Sequence, residues 1–239
     1  IMDKIAYGAV QLTRRSFDVF SGYNPQKMNE RKWMNRIIFL ETVAGVPGMI
    51  GGMQRHLRSL RTLERDHGWI HHLLQEAENE RMHLFFFLKQ RNPGIMFRIM
   101  IALAQGIFFN GYFLAYMISP TICHRFVGYL EEEAVHTYTI LLESLDAGRL
   151  KHWEKLRAPE EAIEYYNLAP DAMMRDLILM VRADESCHRE VNHHFADLPS
   201  YEPIEHMHVE ISADKTELSF PPPKPEIKES SEVKDELKQ

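Results

Sequence analysis

The sequence predicts an all-α fold, a four-helix bundle with extra helices and an N-terminal arm. Long segments between residues 31 and 197 carry apolar residues at helical spacing, with Gly or Pro at the breaks. The composition is 45% hydrophobic and 26% charged over 239 residues, which is enough for one domain with a full core. Four of the segments each hold an acidic residue in apolar surroundings, as helices around a shared polar interior do.

The elements follow in order along the chain. Residues 1–30 are mixed in character and end in a turn-rich stretch, which predicts an arm. Helices are predicted at residues 31–65, 69–89, 95–119, 120–147 and 170–195. A polar tail with three consecutive prolines follows, and it is expected to be disordered because it cannot bury enough apolar surface. The predicted organisation is therefore an arm (1–30), a helical-bundle domain (31–198) and a tail (199–239).

Composition and cysteine spacing exclude several classes of protein. The formal charge of −6 gives no support to a nucleic-acid partner. Cys123 and Cys187 are far apart, which excludes a disulfide scaffold and a zinc ribbon. The opening residues lack a basic start followed by an apolar run, so no signal peptide is expected. Polar residues interrupt the apolar segment 95–120, and we expect it to be buried or to lie on a membrane without spanning it.

An internal repeat arranges acidic residues and histidines in alternation. The stretches LETVA (from Leu40), NERMH (from Asn79), LEEEA (from Leu130) and DESCH (from Asp184) read LExxA, [ND]ExxH, LExxA, [ND]ExxH. Residues i and i+3 share a helical face, so each ExxH can reach one metal pair. This is the arrangement of a ferritin-like di-iron bundle, and four carboxylates with two imidazoles suit iron or manganese better than zinc or copper. The predicted ligands are Glu41, Glu80, His83, Glu131, Glu185 and His188.

The third helix contains a competing ExxH pair, Glu133 and His136. The repeat favours Glu131, because the leucine before it and the alanine three residues after it match those around Glu41. Glu131 also shares a helical face with an apolar stripe that includes Tyr138, whereas Glu133 lies on a more mixed face. A single ExxH is weak evidence for a metal; two that alternate with two LExxA segments are much stronger.

These motifs, in longer form, are those of a known family. The stretches LETVAGVPGM, NERMHL, LEEEAVHTY and RADESCHREVNH resemble the alternative oxidases, the cyanide-insensitive terminal quinol oxidases, and look most like the trypanosomal form. The resemblance implies the same six iron ligands for two irons per chain. It implies that Asn79, Asp184 and Tyr165 orient those ligands, and that Tyr138 supplies an electron or proton during O–O cleavage.

The resemblance also implies a substrate site and a cellular setting. Arg36 and Thr137 match positions that hold the quinol head group, and the lining would come from Leu40, Leu130, Glu133 and Ala134. The implied reaction oxidises ubiquinol to ubiquinone and reduces O2 to water, without proton pumping. The family is a homodimer, monotopic on the matrix face of the mitochondrial inner membrane. Since no cysteine precedes Cys123, we expect no regulatory disulfide of the plant type.

Two segments are candidates for the membrane contact that a quinol oxidase needs. Residues 55–65 alternate arginines and leucines at helical spacing, which suits a helix lying in the interface or a dimer helix. The segment 95–116 is the second candidate. Three other functions stay open on the residues alone: a di-iron hydroxylase or desaturase, a non-catalytic ferritin-like iron-binding protein, and a helical membrane-surface scaffold.

Overall fold

The structure is a computed structural model, and it describes residues 2–199. This part of the chain contains seven α-helices. Two short 3₁₀ helices, Pro25–Lys27 and Trp153–Lys155, lie in the connections, and the described part contains no β-strand beyond an isolated bridge between Arg157 and Met173. The helices are α1 (Met2–Ser21), α2 (Glu30–Thr62), α3 (Trp69–Leu88), α4 (Ile95–Ile118), α5 (Pro120–Asp146), α6 (Glu160–Tyr166) and α7 (Met174–Asp197).

The bundle consists of the four helices that carry the sequence repeat. The most extensive helix contacts are between α2 and α3 and between α5 and α7. Helix α1 lies on α5, and α4 lies against α2 and α5 outside the bundle. The prediction of an all-α, ferritin-like four-helix bundle with extra helices is confirmed.

The arm that was predicted over residues 1–30 contains α1, a 20-residue helix. Only Ala6 and Val10 of α1 are buried, so its apolar pattern is short and did not predict a helix. Its last turn leads through the Pro25–Lys27 turn into α2, where the Asn29 side chain accepts a hydrogen bond of 3.0 Å from the Lys32 N–H and caps the helix. The predicted tail lies outside the described residues, apart from Pro199.

The start of the last bundle helix was predicted four residues too early. Residues 170–173 are not helical, because their backbone pairs with residues 156–158 instead. The Ala158 N–H donates to the Ala172 carbonyl (2.9 Å), and the Met174 N–H donates to the Leu156 carbonyl (2.7 Å). Helix α7 therefore begins at Met174, where the Asp176 side chain accepts from the Met173 N–H and completes the cap.

Helices α2 and α4 are long and apolar enough to cross a membrane by length and composition alone, which is weak evidence for a span. They differ in burial: 44% of the apolar window of α2 is buried, but only 11% of that of α4. The apolar surface of α4 is exposed at Ile95, Met96, Leu103, Ile107, Leu114, Met117 and Ile118. Helix α1 adds exposed Leu12, Val19 and Phe20.

The basic end of α2 differs in one respect from the sequence interpretation. Arg55 is buried, stacks on the Trp69 ring at 4.1 Å, and forms a 2.8 Å ion pair with Asp66. The Arg55 side chain therefore faces the protein and is not part of the exposed surface that residues 55–65 could offer to a membrane or to a second chain. Arg61 and Arg65 are exposed.

Candidate metal centre

The six residues that the repeat predicts meet in one buried cluster at the middle of the bundle. Their ligand atoms form two overlapping groups, each with all atoms within 4.8 Å of one another. The first group is Glu41, Glu80, His83 and Glu185, and the second is Glu80, Glu131, Glu185 and His188. Glu80 and Glu185 belong to both groups, so the cluster has two adjacent positions for a metal with two carboxylates between them.

The distances inside the cluster are those of groups that face a common centre. His83 Nδ1 lies 3.5 Å from Glu41 Oε2, 3.6 Å from Glu80 Oε2 and 3.4 Å from Glu185 Oε1. His188 Nδ1 lies 2.7 Å from Glu80 Oε1 and 4.0 Å from Glu185 Oε2. Each ExxH thus turns its imidazole toward carboxylates of other helices.

The cluster contains polar atoms that the protein alone does not satisfy. Six buried atoms have no hydrogen-bond partner, although burial without a partner is costly for such groups. A pair of metal cations would satisfy these atoms. A set of four carboxylates and two imidazoles fits iron or manganese. The atoms are Glu41 Oε2, Glu80 Oε1 and Oε2, His83 Nδ1, Glu185 Oε2 and His188 Nδ1.

Burial and mutual repulsion shift the acidities within the cluster. Burial raises the pKa of Glu41 to about 8, and burial together with the Glu185 charge holds the pKa of Glu131 well above its usual range. Burial alone would raise the pKa of Glu80 too, but the charge of the adjacent His188 and His83 imidazoles outweighs it and lowers that pKa. Ionisation of Glu41 and Glu131 is therefore unfavourable without added positive charge, which bound metal ions would supply.

A hydrogen-bond group behind His83 fixes the orientation of that ring. Asp184 Oδ2 lies 2.9 Å from His83 Nε2 and accepts from Asn79 Nδ2 (3.0 Å) and the Tyr166 hydroxyl (2.6 Å). Asn79 also donates to the half-exposed Tyr165 hydroxyl at 3.0 Å. The structure thus brings the three residues expected to orient ligands together, and it adds Tyr166. Sequence reasoning missed Tyr166 because it lies in a connection that carries no repeat.

Tyr138 lies beside the cluster on α5. Its hydroxyl donates a hydrogen bond to Glu41 Oε1, and its side chain is buried. Burial and the negative charge of Glu41 raise the pKa of Tyr138 well above its usual value. The phenol is therefore protonated and holds its proton next to a predicted ligand.

The competing pair on α5 lies outside the cluster. His136 is exposed. The Glu133 carboxylate contacts side chains of α1 and is not part of the cluster. Gln11 Nε2 donates to Glu133 Oε1 (2.6 Å), and Arg14 Nη1 lies 2.5 Å from Glu133 Oε2. The geometry thus brings Glu131 to the metal cluster, and Glu133 to a different site.

That second site contains the residues expected to bind a quinol head group. Arg36 is buried, forms a 2.6 Å ion pair with Asp18, and stacks on the Tyr23 ring at 3.9 Å. Arg14 lies between Glu133 and Asp18: it pairs with Glu133, and its Nε is 3.7 Å from Asp18 Oδ2. Arg36 Nε and the Tyr23 hydroxyl are buried without hydrogen-bond partners, so the site has polar atoms available for a ligand.

The remaining predicted pocket residues lie nearby on α2 and α5. Leu40, Leu130 and Ala134 are half-buried, and Thr137 is buried. The Thr137 hydroxyl donates to the Glu133 carbonyl (2.8 Å), one turn back on its own helix. Sequence reasoning missed the contributions of α1, which are Gln11, Arg14 and Asp18. The predicted arm carried no motif that points to α5.

The bundle, with a buried set of four carboxylates and two histidines, places the chain in the class of ferritin-like proteins with a di-metal carboxylate site. Within this class, the family model described as "Alternative oxidase" matches residues 1–197, and the chain belongs to the alternative oxidase family. The resemblance inferred from the four sequence stretches is confirmed.

Curated relatives agree with the family. Proteins named "Alternative oxidase, mitochondrial" from Emericella nidulans and Aspergillus niger are each 55% identical to the chain, over 207 and 208 residues. One from Ajellomyces capsulatus is 52% identical over 210 residues. Each alignment covers 82% of this chain but only 58%, 59% and 59% of the respective relative. These relatives are fungal and do not test the expected likeness to the trypanosomal form.

Proposed function

We propose that the protein is a terminal ubiquinol oxidase that oxidises ubiquinol to ubiquinone and reduces O2 to water, insensitive to cyanide and without proton pumping. The observation that carries the proposal is the buried cluster of four glutamates and two histidines with six unpartnered ligand atoms, in a chain of this family. Two ubiquinols supply the four electrons and four protons that convert one O2 to two waters, so the reaction balances without another reductant.

In this proposal the six cluster residues hold two irons. The ligands are Glu41, Glu80, His83, Glu131, Glu185 and His188. Bound iron would supply the redox chemistry that takes electrons from ubiquinol and passes them to oxygen. Asp184 fixes the tautomer and orientation of the His83 ring, with Asn79, Tyr165 and Tyr166 behind it.

Tyr138 is proposed to act as the catalytic tyrosine. Its hydroxyl donates a hydrogen bond to Glu41 Oε1, so the phenolic proton lies inside the bundle and away from bulk water. The hydroxyl can therefore give a proton, or a proton with an electron, at the edge of the centre, and ubiquinol restores both. The protein's part in the reaction is to hold that proton at one defined oxygen.

The quinol site is proposed at Arg36 and Glu133, with Thr137 beside them and Leu40, Leu130 and Ala134 along the ring and tail. The Arg36 guanidinium and the Glu133 carboxylate offer a donor and an acceptor to the two oxygens of a quinol. Helix α1 covers them through Asp18 and Arg14. The apolar residues at the end of α1 and on α4 are exposed and suit contact with a lipid phase.

The cellular setting follows from the same surface and from the relatives. The exposed apolar faces of α1 and α4 support attachment to one leaflet, as a monotopic protein does. The relatives are named mitochondrial, and we infer the matrix side of the mitochondrial inner membrane. A homodimer is proposed by family membership.

The deciding experiment measures ubiquinol oxidation by the purified protein in the presence of cyanide, with iron content determined on the same sample. We expect two irons per chain and two ubiquinols consumed per O2. An oxygenated organic product would favour a hydroxylase or desaturase. Iron without quinol oxidation would favour an iron-binding protein, and fewer than two metal ions per chain would contradict the di-iron centre itself.

A further inference from the structure

A row of buried polar side chains leads away from the metal cluster along the bundle interior. The Tyr116 hydroxyl lies 3.0 Å from His124 Nε2, and His124 Nδ1 lies 3.2 Å from Asn192 Oδ1. Asn192 Nδ2 donates to Glu76 Oε2 at 2.8 Å. All four residues are buried, and the proposed reaction uses none of them.

The hydrogen bonds in this row have a single consistent direction. Because the Asn192 amide nitrogen donates to Glu76, its oxygen must accept from His124 Nδ1. His124 Nε2 then accepts from Tyr116, so the ring is neutral. Burial lowers the pKa of His124 to about 4, which agrees with a neutral imidazole. Every donor points toward the metal cluster, and the row ends on the Glu76 carboxylate.

Asn192 also contacts the main chain of a predicted ligand. Its Nδ2 donates to the His188 carbonyl at 3.0 Å, one turn back on α7. The same amide therefore ties the turn that carries His188 to Glu76 on α3, which lies one turn before Glu80.

The two halves of the centre differ in what lies behind their histidines. Histidines that bind metals usually give their distal N–H to a carboxylate, and Asp184 takes this position for His83. When the two ExxH repeats are aligned, Asn79 occupies the position that corresponds to Asp184. The Asn79 side chain donates to Asp184 and Tyr165. The first half of the repeat thus has no carboxylate at that position to support His188. Glu76 is a buried carboxylate on the same helix, three residues earlier.

We propose that Asn192 is the positioning residue for the His188 half of the centre, because its amide holds the Glu76 carboxylate of α3 and the His188 turn of α7 together. The inference rests on the proposed di-metal function. It assigns His188 a support that differs from that of His83, built from residues outside the repeat.

The test titrates Co²⁺ into metal-free full-length protein and follows the visible absorption of the bound ion, with no quinol or oxygen present. Removing an outer hydrogen-bond partner of a metal-binding histidine typically weakens metal binding roughly 10–100-fold. We expect Asn192→Leu and Glu76→Gln to weaken one of the two binding steps by about this factor and to leave the other near the wild-type value. Asp184→Asn should weaken the opposite step.

Ser144→Ala provides the matched control. Ser144 is a buried hydrogen-bonded residue on α5, but its partners are the Ile140 carbonyl and Arg149, far along the chain from any predicted ligand. Unchanged Co²⁺ affinity in both test variants would overturn the inference, as would an equal loss in Ser144→Ala. If Asn192→Leu does not fold, the isosteric Glu76→Gln decides. Wild-type protein that binds no Co²⁺ would overturn the di-metal proposal, a different result from two normal sites in the variants.

Discussion

At the scale of the residue, the two oxygens of Glu41 have different surroundings. Oε1 accepts the hydrogen bond of Tyr138, whereas Oε2 is unpartnered and faces His83 Nδ1 at 3.5 Å. One oxygen therefore accepts the phenol hydrogen bond, and the other is available to a metal. This division places the Tyr138 proton one carboxylate away from the metal position, without direct ligation by the tyrosine.

Replacing Tyr138 with phenylalanine should separate catalysis from metal binding. The variant keeps the buried ring and loses the hydroxyl, so we expect two irons per chain but a kcat lower by roughly 10²–10⁴-fold, as for removal of a positioned proton donor. Oxygen uptake with ubiquinol, normalised to iron content, measures the effect. Tyr112→Phe is the control, because it removes a buried hydroxyl from α4, a helix that carries no predicted ligand. Full activity in Tyr138→Phe would remove the tyrosine from the mechanism.

Glu131 and Glu133 allow a matched comparison of ligand and neighbour. Glu131→Gln removes a carboxylate from the second ligand group, and we expect loss of at least one iron per chain. Glu133→Gln lies two residues away, in contact with α1, and should keep both irons while the KM for ubiquinol rises. Iron analysis of the two purified variants tests this. Equal iron content in both would contradict the assignment of Glu131.

The residues of the centre could be predicted because each half of the chain repeats the same spacing. Glu131 could be chosen over Glu133 for this reason alone. Gln11, Arg14 and Asp18 could not be predicted, because they meet Glu133 and Arg36 only after α1 has docked on α5. Tyr166 was missed for a similar reason. The position of the short helix α6 brings it to Asp184, and no periodicity in the sequence specifies that position.

At the scale of the element, helix α2 approaches α3 along a row of glycines. A Cβ on Gly48 would lie 2.5 Å from the Leu73 carbonyl oxygen and 3.3 Å from Ala77. A Cβ on Gly45 would lie 3.2 Å from the Ala77 carbonyl oxygen. Backbone atoms cannot move aside as a flexible side chain can. The close packing that brings Glu41 to Glu80 thus depends on the absence of a side chain at Gly45 and Gly48.

Gly48→Ala should push the two helices apart. We expect a net loss of roughly 1–3 kcal/mol in the free energy of unfolding, as for overpacked cores, despite the better helix propensity of alanine. Thermal and denaturant unfolding, followed by circular dichroism, measure it. Gly106→Ala in α4 meets nothing within 4 Å and should be neutral or stabilise by up to about 1 kcal/mol. Equal stability of both variants would contradict a tight α2–α3 contact.

Helix α1 is attached over the proposed quinol site by charged side chains. Asp18 pairs with the buried Arg36, and Arg14 pairs with Glu133. These contacts give the arm a direct connection to the proposed substrate residues, which its sequence did not indicate.

Asp18→Asn should disturb the quinol site and leave the metal centre intact. A hydrogen bond to a charged group contributes roughly 1.5–3 kcal/mol, and partial exposure of Asp18 reduces this figure. We expect the KM for ubiquinol to rise by about tenfold, with iron content unchanged. Asp3→Asn is the control and should show the wild-type KM, because Asp3 is an exposed residue of α1 that pairs with Arg125 of α5. A KM that does not change in Asp18→Asn would separate α1 from substrate binding.

At the scale of the whole molecule, helical periodicity predicted the four bundle helices and α4, because each has a long apolar face. It did not predict α1, whose buried stripe is two residues, nor the late start of α7, which a backbone bridge to Arg157 determines. It also could not show which apolar residues stay exposed. Only the assembled bundle distinguishes buried Ile37 and Leu177 from Leu103 and Ile107, which remain outside it.

Leu103 and Ile107 lie one turn apart on α4 and are 64% and 77% exposed. If this face enters a lipid leaflet, each side chain contributes roughly 1.5–3 kcal/mol to binding on burial. The double variant Leu103→Glu, Ile107→Glu should therefore bind vesicles of zwitterionic and anionic phospholipid at least on the order of 100-fold more weakly, as measured by co-sedimentation. Its iron content should match that of the wild type, because neither residue reaches the bundle interior. Gln75→Glu, on an exposed face of α3, adds negative charge without removing apolar surface and should bind nearly as the wild type does. If the double variant bound vesicles normally but changed its oligomeric state, the face would be a contact between chains and the membrane would have to attach elsewhere.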